Sequence, residues 1–233
     1  LSYGLRWDYF GVPHRANRGM EVYDFATNTM KFCGAGSNPT DCGVINMGKS
    51  YFAPRVGLAY RLSNTLVVRA GYGIAYDPVN IGRNALHSYP VQTMFQAVGV
   101  NSFQPSSKLG DGIPAITAPN LSAGSVTLPG TIGVEIFDPN FRRGYVQSYN
   151  FMVQKEFRDG WVAEAGYVAN GMRHMQNRWN SNYGYIGGGT PSMVLNQAFG
   201  RTATTNYFSD MFGFTSSFNA FESSLNRRFA RGF

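Results

Sequence analysis

Residues 51–78, YFAPRVGLAYRLSNTLVVRAGYGIAYDP, contain two long runs that alternate strictly with period two and are joined by a very short polar break. In the first run Val56, Leu58, Tyr60 and Leu62 share one side, and Arg55, Gly57, Ala59 and Arg61 share the other. In the second, Leu66, Val68, Ala70, Tyr72, Ile74 and Tyr76 share a face, opposed by Arg69, Gly71, Gly73, Ala75 and Asp77. Two such runs in succession predict an antiparallel hairpin. Keeping both apolar rows on one face fixes a register with Leu62 opposite Leu66, Tyr60 opposite Val68, Leu58 opposite Ala70 and Val56 opposite Tyr72. Ser63, Asn64 and Thr65 are then expected to form a three-residue turn. Each run exceeds the ~5–6 residues usual in a soluble sheet and approaches the ~9–11 that cross a membrane at a tilt.

The same alternation returns elsewhere. Leu1, Tyr3, Leu5, Trp7 and Tyr9 oppose Ser2, Gly4, Arg6 and Asp8. Tyr145 to Phe157 alternates, Arg158–Asp159–Gly160 reads as a turn with Gly160 left-handed, and Trp161, Ala163, Ala165, Tyr167 and Ala169 return along the same face. That register pairs Phe157 with Trp161, Val153 with Ala165, Phe151 with Tyr167 and Gln154 with Glu164. Phe221, Ser223, Leu225, Arg227 and Phe229 mark a last strand. The expected strands lie near 1–9, 52–62, 66–77, 145–157, 161–170 and 217–229. The stretches 10–51, 78–144 and 171–216 read as long loops, with a short strand at Met20–Phe25. Lys155 and Arg227 fall on the apolar face, and Met152, Val162 and Val168 on the polar one.

Long loops thus alternate with short turns, which puts all the long loops at one rim of an up-and-down sheet. Aromatic residues gather at the strand ends: Trp7, Tyr9, Tyr51, Tyr76 and Tyr145 at the long-loop rim, Phe157, Trp161 and Phe229 at the other. Both features predict an all-β fold, an antiparallel up-and-down transmembrane β-barrel segment of about six long strands with long outer loops and short periplasmic turns. Composition agrees. Charged residues are 14% of the 233, against roughly 25% in a soluble average, and Tyr, Phe and Gly are abundant. A soluble all-β sandwich or fibre-forming module is the bland alternative, because a core and a lipid phase impose the same alternation. Net charge is +7, but no basic run exceeds the pairs Arg142–Arg143 and Arg227–Arg228, which argues against nucleic acid as a partner.

The ordered set YGLRWDYF, YFAPRVGLAYRL, VVRAGYGIAYDP, YVQSYNFMVQKEFRDGWVAEAGYVANGMRHM and FNAFESSLNRRFARG resembles the β-barrel of TonB-dependent outer-membrane receptors, the Oar-like group in particular. The resemblance implies a barrel of about 22 strands, of which about six are covered, preceded by a plug. It implies outer-membrane lipid, the remaining barrel, the plug and a TonB energy-coupling protein as partners, and energised uptake or export of a bulky ligand. A passive porin or an adhesin barrel is the nearest alternative. Leu1 lies inside a strand pattern and Phe233 stops where another strand is due, so the sequence reads as a segment of a larger protein.

The site expectations follow from the two faces. Arg6, Asp8, Arg55, Arg61, Arg69, Asp77, Gln154, Glu156, Glu164, Glu222 and Arg228 are assigned to the lumen. Leu5, Val56, Leu58, Tyr60, Leu66, Val68, Tyr72, Ile74, Phe151, Val153, Ala165, Tyr167, Phe221 and Leu225 are assigned to lipid. Cys33 and Cys42, in a Gly/Asn/Pro-rich stretch, suit a disulfide in an oxidising compartment, with unpaired thiols as the alternative. His14, His87 and His174 lie far apart, and HExxH, phosphate-loop and EF-hand patterns are all missing from the sequence. No enzyme activity and no metal or cofactor site is expected. The aromatics Phe95, Phe103, Tyr183, Tyr185, Phe208 and Phe212 read as loop residues, available either to a ligand or to packing between loops.

Overall fold

The computed structural model describes the chain except residues 12–15, 17–18, 43–47, 79–88, 93–98, 100, 139–140 and 228–233; of 109 and 206–212 it describes the backbone alone. His14, His87, Phe95, Arg228 and Phe229 lie outside the described residues, as do the side chains of Phe208 and Phe212.

Among the described residues ten strands form two sheets. The large one has the order β1 (Ser2–Asp8), β4 (Tyr51–Ser63), β5 (Leu66–Tyr76), β8 (Tyr145–Glu156), β9 (Trp161–Asn180), β10 (Thr205–Arg227) and β7 (Val134–Phe137). All pairs are antiparallel except β7 on β10. The small sheet is β2 (Glu21–Asp24), β3 (Thr29–Phe32) and β6 (Ser125–Thr127). Among the described residues a short α-helix, α1 (Val194–Phe199), ends at Gly200, whose φ of 68° is the left-handed conformation that glycine adopts at little cost.

The registers run as the alternation demands over most of their length. Tyr60 faces Val68, Leu58 faces Ala70 and Val56 faces Tyr72. Phe151 faces Tyr167, Val153 faces Ala165 and Gln154 faces Glu164. The Phe157 amide donates to the Trp161 carbonyl at 2.8 Å. Through β4, β5, β8, β9 and β10 one apolar row therefore reads Leu58, Ala70, Phe151, Tyr167, Phe221.

The sequence reading needs correction at the β4–β5 turn and in the lengths of β9 and β10, and the β8–β9 turn has the left-handed Gly160 expected of it. The β4–β5 turn is two residues, Asn64–Thr65, and Leu66 pairs with Ser63 rather than Leu62. A register shift between Arg61 and Ser63 absorbs Leu62 as the extra residue of a bulge. The Ser63 hydroxyl accepts the Thr65 amide at 3.3 Å, a local bond that competes with the ladder. At the β8–β9 turn Asp159 as well as Gly160 is left-handed, with φ of 64° and 74°. Finally, β9 and β10 are longer than 161–170 and 217–229 imply. Beyond Met172 and Ser216 they continue as a ribbon past the rim set by Tyr76 and Tyr145, with shifts at Phe214, so the loop expected over 171–216 shrinks to 181–204. Phe208 and Phe212 are thereby strand residues. Period-two patterning fades in that extension because both faces there meet water or loops.

The long loops carry structure of their own. Tyr23, Met30, Phe32, Leu128, Val134, Ile136 and Leu195 form a buried cluster drawn from β2, β3, the β6–β7 segment and α1. The apolar face of the large sheet has no such cover: Tyr60 is 59% exposed and Phe221 74% exposed. The core of the chain thus sits in the loops.

Candidate functional site

The polar face of the sheet is paved with small residues and scattered charges. One row reads Ser2, Gly57, Gly71, Asn150, Val168, Ala220, and the next reads Gly4, Arg55, Gly73, Ser148, Asn170, Phe218. Arg61 lines up with Val67, Gln154 and Glu164, Glu156 with Val162, and Glu222 with Gly166. Among the described residues two ion pairs lie on this face: Arg6 Nε to Asp8 Oδ1 at 2.9 Å along β1, and Arg69 Nη1 to Glu164 Oε2 at 3.4 Å, reaching over β8. Asp77 lies just beyond β5, where its amide donates to the Gly144 carbonyl at 2.9 Å. Small residues here are partly a packing need. A Cβ on Gly166 would strike the Phe151 carbonyl oxygen and the Met152 sulfur, which places the discordant Met152 over the gap that Gly166 leaves.

On the opposite face the residues assigned to lipid share their rows. Leu5, Val56, Leu58, Tyr60, Tyr72, Phe151, Tyr167, Phe221 and Leu225 are exposed, and Leu66, Val68, Ile74, Val153 and Ala165 half-buried. Polar residues on this face have local partners. Lys155 Nζ donates to Thr65 Oγ1 at 3.1 Å at the short-turn rim, and the Arg227 guanidinium lies 5.6 Å from the Trp161 ring centroid. The Tyr167 hydroxyl donates to Asn219 Oδ1 at 2.5 Å.

At the long-loop rim an aromatic chain crosses the strand tops. Phe10, Tyr51, Tyr76, Tyr145 and His174 follow one another at centroid distances of 5.6, 5.1, 6.0 and 6.0 Å. Beside it is a cavity of about 420 Å³, lined by Tyr51, Tyr76, Tyr145 and His174 together with Arg142 and Arg143. Arg143 is buried; its Nη1 donates to the Asp77 carbonyl at 2.6 Å and its guanidinium covers the Phe10 ring at 3.8 Å. Burial lowers its pKa, against the pull of Tyr51 and Asp77. Of the three histidines His174 alone is described, within β9 rather than in a loop, with a φ of 51°.

Above the rim, Arg201 binds the loops together. Fully buried, it donates from Nη1 to Asn28 Oδ1 and the Pro129 carbonyl, and from Nη2 to the Ile132 carbonyl and Thr205 Oγ1, over distances of 2.8 to 3.3 Å. Burial holds its pKa below the usual guanidinium range, with the Tyr23 hydroxyl opposing. Cys33, buried, is disulfide-bonded to Cys42 with Cα atoms 5.7 Å apart. Of the loop aromatics whose side chains are described, Phe103 and Tyr185 are exposed, and Tyr183 stands 6.5 Å from Trp179. Sequence reasoning missed Arg143 and Arg201. The Arg142–Arg143 pair was a visible signal for the first, whereas nothing around Arg201 in GRTATTN marks it.

Among the described residues, no group of three or more His, Cys, Asp or Glu side chains is placed to hold a metal. No curated protein and no solved structure matches the chain. The family model described as "Outer membrane beta barrel domain" matches residues 1–233, the whole sequence. With its antiparallel, consecutively paired strands and its long loops at one rim, the chain belongs to the outer-membrane β-barrel domain family, and its place is the bacterial outer membrane.

Proposed function

We propose that these residues form part of the wall and outer cap of a TonB-dependent receptor, which moves a bulky ligand across the outer membrane. In this reading the apolar rows face lipid, the polar face lines the lumen, and the long loops lie outside the cell. The observation that carries it is the packed cap: loops from three parts of the chain share one buried core and are tied by Arg201, and the Cys33–Cys42 bond closes a turn within the first of them. Ordering loops before a ligand arrives removes an entropy cost from binding, which a receptor needs and a passive pore does not. The small residues Gly57, Gly71, Gly73 and Ala75 offer an inserted plug close access to the wall backbone, and charges such as Arg55 and Arg61 offer it partners.

The large sheet is open, so closure calls for strands from elsewhere, because unpaired edge groups in hydrocarbon cost several kcal/mol each. The remaining barrel, a plug and the TonB energy-coupling protein are accordingly the proposed partners. A porin or adhesin is the rival reading. Liposome swelling with arabinose separates porin from receptor. The full-length protein is expected to leave liposomes tight and to leak once its plug is deleted. Porin-like swelling with the plug intact would refute the receptor reading.

A further inference from the structure

We propose that the loop joining β9 to β10 carries a stacking site for a neutral glycan, built on Trp179, Tyr183 and Tyr185. The inference rests on the reading that places the long loops outside the cell. Tyr183 and Tyr185 are 58% and 73% exposed, yet the backbone that carries them is fixed. Asn182, buried, anchors the start of the loop. Its Oδ1 accepts the Leu195 amide at 2.9 Å, and its Nδ2 donates to the Ala203 carbonyl at 3.0 Å and the Arg201 carbonyl at 3.3 Å. The Tyr183 carbonyl then accepts the Val194 amide, and the Tyr185 carbonyl the Gly188 amide, both at 3.0 Å. Two glycines let the loop fold this tightly. A Cβ on Gly184 would strike Ser192 Oγ, and one on Gly188 would lie 2.6 Å from Tyr185 Cε2, so the Tyr185 ring rests against the Gly188 backbone. The Trp179 ring, near the end of β9, stands 6.5 Å from the Tyr183 ring with 37° between their planes. Tyr185 follows two residues on, its Cα within ~7 Å of that of Tyr183.

An aromatic surface ordered in advance spares a ligand that ordering cost, and tyrosine loses little further freedom on contact. The faces of such rings are electron-rich. They attract the weakly positive C–H groups on the flat side of a sugar ring, while the tyrosine hydroxyls reach sugar hydroxyls. Charge selects among ligands. Residues 179–200 contain no Asp, Glu, Lys, Arg or His, in a chain of net charge +7. The flanking cations are committed: Arg178 pairs with Glu135, and Arg201 is buried on loop carbonyls. A single-stranded nucleic acid would need a basic groove beside the rings, and an anionic polysaccharide would need a cation. A protein partner would need more surface. An aromatic side chain offers ~150–250 Å² in full and these are partly covered, so the rings fall short of the ~800 Å² per partner of a stable interface. A neutral glycan needs neither charge nor large area.

The test is a glycan array of neutral glucans, galactans, mannans and chitin oligosaccharides, with sialylated and uronate glycans as charged comparisons. It is probed with the full-length protein in detergent. The wild type is expected to bind one or more neutral glycans in preference to the charged ones. Tyr183→Ala with Tyr185→Ala should weaken that binding about tenfold or more, the scale of one lost stacked ring, with heat-modifiable gel mobility unchanged. Tyr183→Phe with Tyr185→Phe should keep most of the binding, and Phe103→Ala, at an exposed aromatic in another loop, should keep all of it. Binding to no neutral glycan, preference for charged ones, or undiminished binding in the alanine pair would overturn the proposal. So would a loss in the phenylalanine pair equal to that in the alanine pair, since ring faces would then not be the contact. Labelling of Ile186→Cys, fully exposed in the same loop, by a membrane-impermeant maleimide on intact cells separates the two readings. An unlabelled cysteine sinks the outward placement of the loops, whereas a labelled one with no glycan bound sinks the stacking site alone.

Discussion

Arg201 Nη2 donates to the Ile132 carbonyl at 2.8 Å, tying the start of β10 to the approach of β7. The same guanidinium reaches Asn28 in the β2–β3 turn, itself bonded to the Tyr23 hydroxyl and the Leu128 carbonyl. One buried cation thus satisfies acceptors on two other loops and on the first residue of β10. Arg201→Met would take from the Ile132 carbonyl its Arg201 donor, at a cost of about 1–3 kcal/mol for a buried group left unsatisfied, while the Pro129 carbonyl keeps the Ile132 amide and Asn28 Oδ1 keeps the Tyr23 hydroxyl. Hydrogen exchange should show the cap around Met30 and Val134 opening together, while heat-modifiable gel mobility, which reports the barrel, stays unchanged. A barrel that fails to fold would show that the cap is not separable from the wall.

The disulfide acts on the same cap. Cys33 follows β3, and its amide donates to the Met20 carbonyl at 3.2 Å. Closing so short a loop stabilises by about 2–3 kcal/mol in the entropic account. Protein taken from the outer membrane and digested without reductant should yield a cross-linked peptide pair and no alkylated Cys33 or Cys42. Replacing both with serine should make the 33–42 segment sensitive to protease without altering the strands.

What the sequence revealed and what it hid divide along one physical line. Where lipid or lumen meets each side of a strand, side chains must alternate, and Tyr60–Val68 and Phe151–Tyr167 could be paired from spacing alone. Where that demand lapses the signal lapses too. The ribbon above Met172 and Ser216 carries no such constraint, and its sequence, RHMQNRWN, resembles a loop. The Leu62 bulge turned on one serine hydroxyl, a local competition that periodicity cannot register. Least visible was the cap. Tyr23, Leu128 and Leu195 come from three different long loops, and their meeting depends on contacts between distant segments that leave no local pattern.

Gly166 and Gly4 separate two uses of glycine on the polar face. A Cβ at Gly166 would lie 2.9 Å from Met152 Cα besides striking the Phe151 carbonyl oxygen, whereas one at Gly4 meets nothing within 4 Å. Gly166→Ala is expected to destabilise by about 1–3 kcal/mol, as overpacking does. Gly4→Ala should be neutral or slightly stabilising, since the unfolded chain loses freedom. Urea unfolding of the full-length protein in detergent checks the pair, and equal effects would refute the close approach of β8 to β9 at this point.

The decisive prediction concerns which face meets the membrane. Leu58 and Val68 lie one rung apart in the apolar rows, mid-strand, and Gly57 lies between Leu58 and Val56 on the other face. Arginine at Leu58 or Val68 must put a charge into hydrocarbon near the midplane, at a cost of about 2–4 kcal/mol. Arginine at Gly57 would instead displace Ser2 Oγ, which lies 2.7 Å from the position of a Cβ there, and its charge would enter the lumen. Arginine at Ser107, an exposed loop residue, should cost nothing measurable. The readout is the fraction of full-length protein that folds into liposomes, scored by gel mobility before and after heating. The expected order of folding yield is Ser107→Arg highest, Gly57→Arg intermediate, and Leu58→Arg and Val68→Arg lowest. If Leu58→Arg folded as well as Ser107→Arg, the apolar rows could not be facing lipid, and the polar face would then have to be reassigned to the membrane or to a partner.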